Sequence, residues 1–167
     1  YATSLGLGTC WLGGTFAKSR FAAKLGLREN ELLPAVIATG YCAAKRRILE
    51  SFIRQQAHAE QRLPWERLFF DGTFGVPLDR DAAGPFDTVL EMVRIGPSAS
   101  NKQPWRIVKD GAPSDGATWH LFVQRTPGYA KRNQALLDIA DMQRLDMGIA
   151  LCHFALTAEE LGLRGAW

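Results

Sequence analysis

The segment from Arg94 to Val108, RIGPSASNKQPWRIV, constrains the fold more than any other part of the chain. Gly96 and Pro97 end an apolar helix, because proline lacks an N–H group and clashes with a helical turn. Trp105 then starts an apolar run typical of a strand. The polar side chains between these two elements are Ser98, Ser100, Asn101, Lys102 and Gln103. Any fold of this chain therefore joins a helix to a strand through a polar connection longer than a simple turn.

Two interpretations of this connection remain open on the residues alone. Ser98 and Asn101 can satisfy nearby backbone groups, as short polar side chains commonly do in loops. Alternatively, the same side chains form a rim that fixes a planar polar ligand, and Pro97 and Pro104 hold the shape of that rim before the ligand arrives. Composition alone favours the first interpretation, in which these side chains form hydrogen bonds with nearby backbone groups.

The spacing of apolar residues along the rest of the chain predicts a mixture of helices and strands. The chain has 167 residues, which suits one domain with its own core. Helices are predicted at residues 18–25, 43–58, 86–95 and 137–161, and the end of a further helix at Gly6. Strands are predicted at residues 33–40, 105–108 and 119–123, the first of them buried. Residues 8–14 are predicted to form a glycine-rich loop, and residues 64–85 an irregular connection packed by aromatic side chains.

Charge, hydropathy and cysteine content exclude several classes of function. The net charge of +3 is too small for a nucleic-acid-binding face, and no apolar run approaches the roughly 18 residues of a membrane span. Cys10, Cys42 and Cys152 show no metal or disulfide spacing, so we expect buried, reduced thiols in a cytoplasmic protein. No Ser–His–Asp or Cys–His arrangement can be identified, and no catalytic side chain is predicted.

Two other groups of residues each have a structural and a functional interpretation. Gly13 and Gly14 either supply the dihedral angles of a turn or let the backbone pass close to a flat ligand. Lys45, Arg46 and Arg47 either form a solvated helix face or bind a phosphate monoester through charge-assisted hydrogen bonds. Neither group is decisive alone.

The two ends of the chain resemble each other. Residues 5–11 are LGLGTCW, and residues 161–167 are LGLRGAW. This likeness suggests an internal repeat, in which the chain runs from the end of one helix to the same point in a second copy. We therefore expect residues 1–63 to be the C-terminal part of a first half and residues 64–167 a second, related half, together making one compact domain.

Taken together, PSASNKQPWRIV, GLGTCWLGGTF and DMGIALCHFALTAEELGL resemble the nitroreductase-like flavoprotein family, and in particular its double-length branch with two fused halves. The family pattern P-S-x-x-N-x-Q-P-W is met at Pro97, Ser98, Asn101, Gln103, Pro104 and Trp105. Ala99 replaces the usual second serine, and an Arg-rich segment near the N-terminus of the family is missing here. The resemblance implies an α+β fold, in which helices flank a central and mostly antiparallel sheet, and a pseudo-dimer with one flavin site built from unlike halves.

The resemblance also implies a cofactor, FMN, and the residues that would bind it. The PSASN stretch would contact the flavin ring and ribityl chain, the glycine loop would lie along the N5 edge, and the basic group would meet the phosphate. The residues carried over in this way are Pro97, Ser98, Asn101, Gln103, Gly13, Gly14, Lys45, Arg46 and Arg47. No metal site is implied.

The implied activity is that of an FMN-dependent oxidoreductase. NADH or NADPH would supply the electrons, and the acceptor would be a nitroaromatic compound, a quinone or a similar small flat molecule. The alternative is a non-catalytic relative that binds flavin or another ligand, or an inactive fragment that acts only as an interaction domain.

Overall fold

The structure is a computed structural model that describes residues 1–14, 16–44, 48–111, 116–129 and 140–166. Its strands are β1 (Gly8–Leu12), β2 (Val36–Gly40), β3 (Phe69–Asp71), β4 (Trp105–Asp110) and β5 (Thr118–Val123). Its helices are α1 (Lys18–Leu25), α2 (Ile48–Gln56), α3 (Arg80–Ala83), α4 (Asp87–Ile95) and α5 (Met142–Glu160). Short 3₁₀ turns occupy Thr3–Leu5, Trp65–Arg67, Gly84–Phe86 and Ala99–Asn101. The described elements make a mixed α/β structure, and none of these helices is long and apolar enough to span a membrane.

The chain forms two compact units. The first consists of Tyr1–Ala57 with Pro127–Met142, and the second of His58–Thr126 with Gln143–Trp167. The predicted halves, residues 1–63 and 64–167, are defined by internal likeness rather than by compactness, and that division stays a prediction.

The first unit contains a two-stranded antiparallel sheet and helix α1. Strand β1 pairs with β2 so that Gly8 lies opposite Gly40. Helix α1 ends at Gly26, whose φ of 64° is readily adopted only by glycine and whose N–H group caps the last turn. The prediction of α1 is confirmed at both ends. The prediction that residues 8–14 form a loop was wrong for Gly8–Leu12, which form β1. Pairing with a strand more than twenty residues away is not visible in the local sequence.

The second unit contains a three-stranded mixed sheet with the order β3–β4–β5. Strand β3 pairs with β4 in parallel, with Phe69 opposite Ile107, and β5 pairs with β4 antiparallel, with Trp105 opposite Val123. The sequence had suggested one central, mostly antiparallel sheet. The described strands instead form two small sheets, one in each unit, and the parallel pair is joined by the long connection that such pairs require.

The core of the second unit lies between its sheet and helices α4 and α5. On α4, the residues Val89, Leu90 and Val93 are fully buried at helical spacing. On β4, Trp105 and Ile107 are fully buried on the face that points to this core, and Val108 and Lys109 are buried as well. The other buried apolar residues of this core are Trp65, Leu68, Phe69, Leu78, Ala83, Ala150, Phe154 and Ala158.

Several boundaries and environments differ from the sequence predictions. Strand β2 begins at Val36 rather than residue 33, and it is mostly exposed rather than buried. The connection at residues 64–85 contains strand β3 and helix α3, which sequence analysis missed. The last helix begins at Met142 and is followed by Gly162 at a φ of 70°. The three cysteines are free thiols, and they are exposed rather than buried.

Glu91 on α4 links two arginines and gives the second unit a pH-dependent stability. Its carboxylate accepts hydrogen bonds from Arg94 at 2.6 Å and from Arg80 at 2.9 Å. The hydrogen bonds from Arg94 are the main reason that the pKa of Glu91 lies below its ordinary value. Ion pairing that lowers a carboxyl pKa stabilises the fold above the unfolded-state pKa and loses that effect as the pH falls through the folded-state pKa.

We expect Glu91→Gln to lower the free energy of unfolding by about 1 kcal/mol at neutral pH. The difference from the parent should shrink below about pH 4.3, the ordinary pKa of glutamate, and disappear once Glu91 is protonated. Urea unfolding measured between pH 7 and pH 3 tests this. Glu159→Gln, at an exposed position of α5, is the control and should show little loss at any pH; equal losses in both variants would contradict the role of Glu91.

Candidate functional site

The polar connection between α4 and β4 is a strained loop. Ser100, Asn101 and Gln103 have φ angles of 50°, 53° and 46°, in the left-handed region that side chains other than glycine rarely adopt. This backbone costs roughly 1–2 kcal/mol for each ordinary residue, and less for asparagine. Such a loop persists only when surrounding contacts hold it, so the contacts of residues 97–103 decide what the loop can do.

The side-chain amide of Asn101 ties this loop to the segment that opens the second unit. Its Nδ2 donates to the backbone carbonyls of His58 at 2.6 Å and Gln61 at 2.9 Å. Its Oδ1 accepts from Nη1 of Arg62 at 3.4 Å and from Nε2 of Gln103 at 3.1 Å. Both donors and both acceptor positions of the amide are therefore used within the chain.

Gln103 and Ser98 brace the inside of the loop. The Gln103 side chain is buried, and its Oε1 accepts from the backbone N–H of Leu63 at 2.8 Å. The backbone N–H of Gln103 donates to Oγ of Ser98 at 2.8 Å. Ser98 thus accepts a hydrogen bond across the loop, while its hydroxyl hydrogen is still available to donate to another group.

Asp146 on α5 holds the loop from the other side. Its carboxylate is 2% exposed and accepts a hydrogen bond from the backbone N–H of Ala99 at 2.8 Å. Helix α5 therefore fixes the position of the residue directly after Ser98.

Arg62 connects the segment before the sheet to the helix that precedes the loop. Its Nε donates to the carbonyl of Ile95 at 3.1 Å, and its Nη1 donates to the carbonyl of Ala59 at 2.9 Å. The guanidinium of Arg62 thereby binds both the carbonyl of Ile95, the last residue of α4, and the side-chain amide of Asn101. The loop is fixed at its beginning, its middle and its end.

Ser98 has hydrogen-bond donors left for a ligand. It is half-buried, next to the exposed Pro97. Its backbone N–H donates to no atom of the residues that the structure describes, and its hydroxyl adds a second donor. Two donors on a preorganised backbone suit a ligand with oxygen acceptors.

The other residues carried over from the resemblance belong to a different part of the chain. Gly13 and Gly14 follow β1 in the first unit, whereas Pro97, Ser98, Asn101 and Gln103 lie together in the second. A Cβ atom at Gly13 would collide with Sδ of Met142, so a larger residue there would have to displace this flexible side chain, which belongs to the same unit. The predicted phosphate-binding residues Lys45, Arg46 and Arg47 lie outside the described residues.

Sequence analysis missed the residues that support the loop. Asp146 lies four residues after Met142 and four before Ala150, both buried, so its place on the apolar face of α5 was a signal for a buried carboxylate. Arg62 carried no comparable signal, because its partners Ile95 and Asn101 are more than thirty residues away in the sequence. Among the described residues, no group of three or more His, Cys, Asp or Glu could hold a metal ion.

Comparisons with known proteins agree with the resemblance. Residues 1–158 match a family model described as "Putative TM nitroreductase". The fold is similar to that of a solved structure from Thermotoga maritima, described as a putative nitroreductase, with 22% identity and a TM-score of 0.51. The match covers 95% of this chain and 49% of that one, so this chain spans about half the length of the solved relative. No curated protein matches the sequence. Because the family match covers nearly the whole chain, the protein belongs to this nitroreductase family.

Proposed function

We propose that the protein is an FMN-dependent oxidoreductase that takes electrons from NADH or NADPH and reduces a nitroaromatic compound, a quinone or a similar flat acceptor. Membership of the nitroreductase family supports the reaction type. The observation that carries the proposal is the strained loop at residues 97–103, which is held by Asn101, Arg62 and Asp146 and leaves the donors of Ser98 for a ligand. A loop held in this way is arranged before the ligand binds, which lowers the entropy lost on binding.

The groups present at the loop fit a flavin in part. The hydroxyl and N–H of Ser98 match the oxygen acceptors of the flavin ring and ribityl chain. The amides of Asn101 and Gln103 already make their hydrogen bonds within the chain. We therefore assign Ser98 to direct contact with FMN, and Asn101 and Gln103 to holding the loop in place. Pro97 fixes the backbone at the start of the loop.

These assignments give the redox chemistry to the cofactor, and its binding and orientation to the protein. FMN, when bound, supplies the redox chemistry, because it can accept a hydride from a nicotinamide and pass electrons to a second substrate. Ser98 binds and orients the ring, and Asp146 keeps the backbone beside Ser98 in position. No side-chain acid or base is required, in agreement with the absence of one from the sequence prediction.

The remaining sequence predictions belong to this proposal as well. We propose that Gly13 and Gly14 lie along the N5 edge of the flavin, and that Lys45 with Arg46 or Arg47 binds its phosphate. We also propose that the protein is a pseudo-dimer of two related halves that act in the cytoplasm on a small aromatic acceptor.

A second candidate function is that of a non-catalytic relative. One observation favours it: the amides of Asn101 and Gln103 are satisfied without any ligand, so the loop is complete as a structural element. Such a protein would bind flavin or another ligand without turnover, or only a protein partner.

Absorbance spectroscopy of the purified chain separates the two functions. We expect added FMN to be retained after gel filtration, its visible band to bleach on anaerobic addition of NADPH or NADH, and the band to return when a nitroaromatic acceptor or a quinone is added. Retention of FMN without bleaching would support the non-catalytic alternative. A folded chain that retains no FMN would contradict the proposed function for this polypeptide.

We expect Ser98→Ala to weaken FMN binding by about tenfold, because it removes one donor to the ligand and the acceptor for the Gln103 N–H. Fluorescence titration of FMN gives the dissociation constant. Ser98→Thr keeps the hydroxyl and should retain most of the affinity, while Ser19→Ala, at an exposed position of α1, should retain all of it. An unchanged dissociation constant in Ser98→Ala would show that Ser98 does not contact the cofactor.

A further inference from the structure

The face of the β3–β4–β5 sheet that points away from the core contains a cavity of about 470 Å³. All of its lining residues belong to the second unit, and they are Phe70, Phe74, Arg106, Phe122, Val123 and Gln124. Ligand-binding cavities range from about 300 to 1,000 Å³, so this one has room for a molecule of one or two rings. We propose that this cavity is a second ligand site, apart from Ser98, and that it binds a planar aromatic carboxylate.

The walls of the cavity are aromatic. The ring of Phe74 lies 5.5 Å from that of Phe70 and 5.0 Å from that of Phe122, measured between centroids, and both contacts are edge-to-face. Phe74 is 53% exposed and Phe122 is 43% exposed. Large aromatic rings that remain this exposed, grouped around one concavity, are typical of a binding surface rather than of scattered surface residues. They would pack against a flat apolar ring.

Arg106 places a positive charge in this aromatic cavity. Its Nη1 donates to the backbone carbonyls of Gln103 at 3.0 Å and Trp105 at 2.5 Å. Nε and Nη2 donate to no atom in the part of the chain that the structure describes, and no carboxylate there forms an ion pair with this arginine. Two nitrogens of the guanidinium, Nε and Nη2, therefore remain to donate to a ligand, on a side chain whose orientation the two carbonyls already fix.

The electrostatic surroundings of Arg106 favour an anion. Burial is the main cause that lowers the pKa of this guanidinium, and the positive charge of Arg67 adds to it. An arginine nevertheless keeps its charge, because its ordinary pKa is above 12. A negatively charged partner stabilises a half-buried cation that has a second cation nearby more than it stabilises an exposed arginine.

The combination of these features selects the ligand class. A carboxylate matches the paired N–H groups of a guanidinium in a planar, bidentate geometry. The aromatic walls require that this carboxylate be attached to a flat ring rather than to an aliphatic chain. The inference does not depend on flavin binding, since none of the lining residues belongs to the loop at residues 97–103.

Calorimetric titration of the full chain with 2-naphthoate and with its neutral analogue 2-naphthalenemethanol tests the proposal. We expect the acid to bind about tenfold more tightly than the alcohol, and this preference to weaken as salt is added. Arg106→Gln should abolish the preference, and Arg67→Gln should reduce the affinity for the acid about twofold. Arg20→Gln, which removes an exposed positive charge in the first unit, should change neither affinity.

Three outcomes would overturn the proposal. The first is equal binding of the acid and the alcohol to the parent chain, or no binding of either. This test uses only the parent chain, so it does not depend on whether a variant folds. The second is an unchanged preference for the acid in a folded Arg106→Gln variant, or an unchanged affinity for both compounds in a folded Phe122→Ala variant. The third is competitive displacement of 2-naphthoate by FMN, which would make the cavity part of the flavin site rather than a second one.

Discussion

Replacing Leu90 by alanine should lower the free energy of unfolding of the second unit by about 3 kcal/mol. Leu90 is fully buried on α4, in the cluster that also contains Trp105 and Phe154. Truncation of a buried leucine removes its transfer free energy and leaves a cavity that the neighbours fill only in part, with measured effects of about 2–5 kcal/mol. Urea unfolding followed by tryptophan fluorescence measures the change, since Trp65 and Trp105 lie in the same core.

Leu156→Ala is the matched control for this experiment. Leu156 is also a helical leucine, on α5, but its side chain is 59% exposed. The same substitution there should cost less than about 1 kcal/mol, because little apolar surface returns to water and no cavity forms. Similar losses at the two positions would contradict the placement of the core between the sheet and these helices.

Asn101→Ala should have the largest effect on the candidate site. The substitution removes the hydrogen bonds that join the loop to the carbonyls of His58 and Gln61, and it leaves a residue less tolerant of a φ of 53° than asparagine. We expect a loss of about 2–3 kcal/mol in stability. If the loop binds FMN as proposed, its dissociation constant should also rise by more than about tenfold, because a loosened loop has to be ordered on binding.

Asn101→Gly separates the two causes of that loss. Glycine adopts the positive φ without strain but provides no amide. We expect this variant to be about 0.5–1 kcal/mol more stable than Asn101→Ala, and to bind FMN as weakly, because both variants lack the contacts that fix the loop. Urea unfolding and fluorescence titration of both variants provide the comparison. If both retained the parent's stability, the amide would have no bracing role.

The features of the fold that were predicted from the sequence are those with a local cause. Helix α1 was placed correctly because its apolar spacing and the glycine at position 26 are signals contained within nine residues. Helix α4 and the strands β4 and β5 were identified for the same reason, with Gly96 and Pro97 marking the end of α4. These elements need little information from the rest of the chain.

The features that were missed depend on distant partners. Strand β3 has three residues and is followed by Gly72 and Gly75, so its sequence favours a turn. It is a strand because it pairs with β4, with Phe69 opposite Ile107. Strand β1 likewise depends on β2. In such short segments, the preference of the residues for a strand is weak compared with the effects of strand pairing and burial. The local sequence carries no information about those two effects.

The candidate site shows the same limit. The motif located the loop, and its polar residues suggested both a structural and a ligand-binding interpretation. The sequence did not indicate which side chain serves which purpose. In the structure Asn101 makes its hydrogen bonds to a segment forty residues earlier, and Ala99 is held by Asp146 from forty-seven residues later. These contacts assign Asn101 to bracing and leave Ser98 with donors for a ligand.

The edge of the second sheet has a consequence for the behaviour of the protein at high concentration. Of the described strands, β5 pairs only with β4, so its other side offers backbone groups to a further strand. Its sequence, TWHLFV, contains neither lysine nor proline, the residues that commonly prevent edge-to-edge pairing. Phe122 and Val123 add exposed apolar surface at the same edge. We therefore expect the sheet that supports the loop to act also as a template for self-association through β5, and aggregation to increase as the concentration rises.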